Sequence, residues 1–313
     1  MRSQRVLLLL LLVIPLPASA ETLPPGPPAP LAGFRSAEEM LRDDASPFAA
    51  RTVLDAIAAA YPRRVERVGW RDGQWAILIA GEWFYWAGGR LLRESELLRA
   101  DSYDPIPFYR YEPGPAVSPD LDEHEKRALE ARVAEQERNP PRRHPGFLNA
   151  LWRIRGEGLA YERQKTTFFL GFKTMVHREI LEDLAAVEEE IIAAMRADSE
   201  LAAFVRRLRT IEGYNYRRVD GTATLSYHSY GIAVDFIPEW YGGRQVYWRW
   251  ARGSGLEWHS VAQEDRFVFP EAFVAAFERH GFVWGGKWTL YDTIHFEYRP
   301  EILILNGFEV DLR

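Results

Sequence analysis

Apolar residues recur at helical steps in the first readable element, where Val53, Leu54, Ile57 and Ala60 share one face between Ala49 and Tyr61. Pro62 ends it. From Arg64 to Leu92 the pattern shortens to runs of Val, Ile, Trp, Phe and Tyr, broken by Arg71-Asp72-Gly73, Ala80-Gly81-Glu82 and Gly88-Gly89. That alternation predicts an antiparallel meander of three or four short strands. A proline-marked stretch, Asp104 to Pro119, leads into Asp120 to Asn139, which is almost uniformly charged and reads as a solvated helix. Asn139-Pro140-Pro141 closes it and marks a domain boundary.

The second part begins with a short helix near Phe147 to Arg153 and a strand at Thr166 to Thr174. A long helix follows, Arg178 to Asp198, in which Ile180, Leu181, Leu184, Val187, Ile191, Ile192 and Met195 form an apolar stripe suited to covering a sheet. Ile232 to Phe236 reads as a buried strand with Asp235 in its middle, and His295 to Tyr298 as another. Between them, Phe269 to His280 has Pro270 at its first turn and Gly281 past its end, the start and stop residues of a helix. The expected class is α+β: a mainly antiparallel sheet covered by helices in residues 147–313, with a smaller α+β region at 36–146 that contains the meander.

The N-terminus changes the picture of where the chain works. Arg2 and Arg5 precede the apolar run Val6 to Leu16, and Ala18-Ser19-Ala20 supplies a small-residue cleavage site. Residues 1–20 therefore read as a secretory signal peptide, too short and too interrupted by Pro15 and Pro17 for the roughly 20 apolar residues of a membrane span. Residues 21–35 are Pro-rich and read as a linker, and Ser36 as the cap of a first helix. An exported protein, periplasmic or secreted, is implied. With no cysteine, disulfides and thiolate metal sites are excluded, so metal ligands must be His, Asp or Glu. A net charge of -6 and the lack of a basic stripe argue against a nucleic-acid partner.

Candidate chemistry sits in two segments, Ser226 to Phe236 and Trp288 to Glu297, which hold His228, Asp235, Asp292 and His295. His228 and Asp235 are seven apart, an awkward interval for two ligands of one ion. On a straight strand they point to opposite faces, and on a straight helix they lie about 10.5 Å apart along the axis. The chain must bend between them, and Ser229-Tyr230-Gly231 is where glycine permits it. Asp292 and His295, three apart at the entrance to a strand, share a side if a turn joins them. His295 is then placed to bind metal while Asp292 stays free as a base toward an attacking water. Glu297, on the strand face of His295, is either its partner or an exposed edge residue.

The run Ser226-x-His228-x-x-Gly231-x-Ala233-x-Asp235, together with Gly281-Phe-x-Trp284-Gly285-Gly286-x-Trp288-x-x-x-Asp292-x-x-His295-Phe296-Glu297, resembles the M15 (VanY-like) family of zinc D-Ala-D-Ala carboxypeptidases and L-alanyl-D-glutamate endopeptidases. The resemblance covers roughly Phe147 to the C-terminus. It implies Zn2+ held by His228, Asp235 and His295, Asp292 as the acidic base, and peptidoglycan stem peptide as substrate. It also implies an arginine ahead of the first motif, toward the substrate carbonyl. Arg217, four residues before Gly221, fits that place better than Arg218. Ser226 is implied as a substrate contact, with a role in holding the bend as the alternative. The competing reading is a wall-binding module without turnover, which loss of a ligand or of the base would favour; all four residues are present.

Overall fold

The computed structural model describes residues 48–313. The expected signal peptide, linker and Ser36 cap lie outside the described residues. Helix α1 (Ala50–Ala60) precedes strands β1 (Val65–Arg71), β2 (Gln74–Ile79), β3 (Glu82–Ala87) and β4 (Arg90–Leu92), which pair antiparallel in that order. The pairs Arg71↔Gln74, Ile79↔Glu82 and Ala87↔Arg90 leave two-residue loops. Each loop has two positive φ angles, as at Asp72 (51°) and Gly73 (83°). Such turns match the right-handed twist of the flanking strands, which explains the glycine at each second position.

The C-terminal half contains α3 (Gly146–Trp152), α4 (Glu157–Glu162), the hairpin β5 (Gln164–Phe169) and β6 (Phe172–His177), α5 (Leu181–Ala194) and α6 (Ser199–Arg206). The single strand expected at 166–174 is thus a hairpin. Leu170 and Gly171, with φ of 50° and 83°, turn the chain inside an apolar run that conceals the break. A four-stranded antiparallel sheet follows in the order β7 (Leu208–Glu212), β8 (Ala233–Pro238), β10 (His295–Tyr298), β9 (Phe282–Trp284). Between its strands run the single turn α7 (Tyr227–Tyr230), α8 (Trp248–Gly253) and α9 (Glu271–Arg279); α10 (Pro300–Leu305) comes last.

One face of this sheet is aromatic. Phe236 and Phe296 lie 5.5 Å apart, and Phe277 of α9 sits 4.4 Å from Phe296. The cover expected from α5 is therefore shared. The rings stacked on the sheet come from α9, while α5 packs behind α9 and reaches the sheet through buried Asp183, which accepts from Tyr298 at 2.9 Å.

The hydrophobic core runs without a break from α1 through the meander to the sheet, taking in Ile57, Phe84, Phe108, Phe147, Phe236 and Ile302. The charged helix, α2 (Glu123–Arg138), is not solvated all round. Leu129 and Val133, one turn apart, bury with Leu121 against Trp248, Trp258 and Tyr291, and Glu130 accepts from Trp258 Nε1 at 2.6 Å. The proline-marked stretch is a strap on the sheet half. Its Pro107 and Tyr109 carbonyls accept from Arg299 and Asn306, each at 3.0 Å, and the Tyr111 hydroxyl donates to Glu278 at 2.6 Å. Among the described residues, no helix is long and apolar enough to cross a membrane.

Candidate metal centre

The bend between His228 and Asp235 is a single helical turn. The Ser226 hydroxyl accepts from the His228 N–H at 3.3 Å, capping α7, and Gly231 ends it in the left-handed region at φ 69°. A side chain at Gly231 would collide with Gln164 and lie 2.8 Å from the His177 nitrogen, whose N–H donates to the Gly231 carbonyl at 2.7 Å. Glycine is required by shape as well as by angle. The chain then enters β8, where Asp235 stands directly across from His295 of β10. Opposed residues on one sheet face have β-carbons about 5 Å apart, so register alone brings these two side chains together.

His228, Asp235 and His295 offer ligand atoms that all lie within 4.8 Å of one another. Asp235 Oδ1 is 2.7 Å from His295 Nδ1, Asp235 Oδ2 is 3.3 Å from His228 Nε2, and the two imidazole nitrogens are 3.3 Å apart. The outer ring nitrogens settle the protonation. His228 Nδ1 lies 2.6 Å from the Gly213 carbonyl and His295 Nε2 3.0 Å from Glu297 Oε1. Both partners are acceptors, so both outer nitrogens carry hydrogen and the inner ones present lone pairs. Those inner nitrogens face a carboxylate, an arrangement satisfied either by a proton or by a metal cation between them. Two imidazoles and a carboxylate, each imidazole held from behind by an acceptor, fit Zn2+.

Electrostatics agree. Burial would raise the Asp235 carboxyl, yet His295 and His228 hold it well below the usual range. His295 is likewise raised despite burial, chiefly by Asp235 and Glu297, so without metal a proton takes the cation's place. Asp292, partly exposed beside this group, has no hydrogen bond to its carboxylate among the described residues, and burial pushes it up to about 6.

Arg217 is exposed. Its N–H donates to Ser229 Oγ at 2.8 Å, tying it to α7, while its guanidinium donates to the Arg218 carbonyl at 3.5 Å. Arg218 is also exposed and turns back to the Ala223 carbonyl. The structure thus brings the three expected ligands together and sets Asp292 next to them, leaves Arg217 at the rim, and gives Ser226 the capping role. Three residues had no role assigned from the sequence: Trp288, Tyr241 and Tyr247. Trp288 lies 5.7 Å from the His295 ring and donates to the Tyr109 hydroxyl of the strap at 3.1 Å. Tyr241 is raised by burial and by the nearby charges of Asp235, Asp292 and Glu212. Tyr247 pairs its backbone with Asp292. Glu297, the open case, is buried and serves His295.

An antiparallel α+β domain that converges two imidazoles and a carboxylate, with a further carboxylate alongside, has the make-up of a metal-dependent hydrolase. Residues 220–298 match the family model described as D-alanyl-D-alanine carboxypeptidase, a match that supports the M15 peptidase family for this segment. The match begins three residues after Arg217. A second model, described as a domain of unknown function, matches residues 53–108. No curated protein and no solved structure matches the chain.

Proposed function

We propose that the protein is an exported zinc peptidase that hydrolyses peptide bonds in peptidoglycan stem peptides. The observation that carries this reading is the pair of imidazoles turned by Gly213 and Glu297 so that their lone pairs meet at Asp235. His228, Asp235 and His295 would hold Zn2+ there, and the ion would supply a Lewis acid and a water of lowered pKa.

The chain's own residues do the rest. Asp292 takes a proton from the attacking water and returns it to the leaving amine, a role suited to a carboxylate that accepts no competing hydrogen bond. Arg217, pinned at its backbone beside α7, supplies a positive charge at the rim toward the substrate carbonyl or its developing oxyanion. Such a charge is weak while solvated and gains strength once substrate excludes water. Ser226 acts through the bend it caps. Trp288 and Tyr109 wall one side of the site and exclude water there.

The bond cut is either the one before a terminal D-Ala or the L-Ala–D-Glu bond. Incubating purified peptidoglycan with the zinc-loaded chain and weighing the released products distinguishes them. A mass corresponding to free alanine supports the carboxypeptidase, and cut stem peptides support the endopeptidase. Absence of any product from zinc-loaded protein, or release that persists in chelator, would refute the reading.

A further inference from the structure

Arg299 follows the site strand β10 and is only 2% exposed. Its Nη1 donates to the Tyr227 hydroxyl at 2.7 Å and lies 3.8 Å from Glu297 Oε2. Its Nε pairs with Glu301, and its Nη2 donates to the Pro107 carbonyl at 3.0 Å. Glu301 accepts in turn from the Tyr61 hydroxyl at 2.7 Å. Tyr227 directly precedes His228, and Glu297 holds the N–H of His295. One guanidinium therefore touches the segment of each metal-binding imidazole and, in the N-terminal region, Pro107 directly and Tyr61 through Glu301. Planar geometry with five donors suits arginine to a junction of this kind, which lysine cannot reproduce.

We propose that Arg299 is a positioning residue for the His228–Asp235–His295 centre, and that Tyr61 and Pro107 of the N-terminal region hold Arg299 in place. The chain of action is short. Glu297 gives one oxygen to His295 and turns the other toward Arg299; without that cation, nothing described fixes the carboxylate's second oxygen. The imidazole it steers then loses a defined direction, and the lone pair at Nδ1 no longer points at the metal position. Partners behind metal-binding histidines change metal affinity by about 10–100-fold when altered. Residues 53–108, matched only by a family of unknown function, thereby acquire a role: they complete the surroundings of a metal centre whose ligands all lie elsewhere in the chain.

This inference rests on the metal-binding part of the proposed function, so its test reads metal and not hydrolysis. The full chain, stripped of metal, is titrated with Co2+ against a competing chelator, and the visible absorption of the bound Co2+ is recorded. Arg299→Gln is expected to weaken Co2+ binding by about 10–100-fold and to alter the absorption bands. Tyr61→Phe, which removes one hydroxyl, is expected to give a smaller loss in the same direction. If Arg299→Gln melts at a lower temperature but keeps the affinity and spectrum of the unmodified chain, Arg299 is merely structural and the proposal is overturned. Should Arg299→Gln fail to fold, Arg299→Lys and Tyr61→Phe decide in its place: weaker binding supports the proposal, and unchanged binding by both overturns it. Absence of Co2+ binding by the unmodified chain overturns the metal reading as well; binding with unchanged variants overturns this inference alone.

Discussion

On β8 and β10 alternate residues lead separate lives. Val234, Phe236 and Phe296 face α9 and are fully buried among aromatic rings, whereas Asp235, His295 and Glu297 face the opposite way into a cluster of charge. The two faces are one residue apart in sequence and share every backbone hydrogen bond of the ladder. The apolar face supplies the stability that lets the polar face carry a buried cluster of charge, held by a proton between His295 and Asp235 until a metal cation replaces it. Rigidity on one side and buried charge on the other are thus two consequences of the same strand period.

Breaking each face separately should therefore give opposite phenotypes. The largest effect is expected from Asp292→Asn, which should reduce hydrolysis of muropeptides by about 10²–10⁴-fold. Because burial raises the Asp292 carboxyl, ionisation there costs folded-state stability at neutral pH, so the same variant should melt at an equal or higher temperature. The base works only when ionised. Activity should accordingly fall as pH drops through about 6, or lower once a bound cation favours the carboxylate, in a profile of kcat/KM against pH.

Phe277→Ala, on the other face, should cost about 3–5 kcal/mol in denaturant unfolding and leave zinc affinity unchanged below the transition. Zinc itself should add about 2.7 kcal/mol at a free concentration of 100 times Kd, seen as a raised melting temperature that His228→Ala abolishes. The smallest effect sharpens the comparison. Ser226→Ala should lose about 1 kcal/mol of stability through the cap while KM stays constant, and a raised KM would return Ser226 to substrate contact.

How much of this was legible in the sequence depends on the range of the signal. The meander was readable because Asp72-Gly73, Ala80-Gly81 and Gly88-Gly89 report their own turn geometry. The meeting of His228 and Asp235 was readable because an interval of seven demands a bend and Gly231 marks where it falls. Harder were features whose partners lie far away in sequence. Leu170-Gly171 gave a turn signal of one glycine among four apolar residues, too faint to split the strand. The strap was hard to foresee, since three of its attachments run through the carbonyls of Pro107, Tyr109 and Glu112, and every residue type has a carbonyl. In the charged helix α2, Leu129 and Val133 four residues apart were the available sign of a buried stripe, outweighed by the charges around them.

The strap has a further consequence at the rim of the four-stranded sheet. Strand β9 is an outer strand, and a free N–H there would invite pairing with a neighbouring polypeptide. The Trp284 N–H donates instead to the Tyr111 hydroxyl at 2.9 Å, so a side chain from the strap occupies a position that another strand would seek. Beyond bracing the site, the strap thereby helps keep crowded copies of the molecule from stitching together edge to edge.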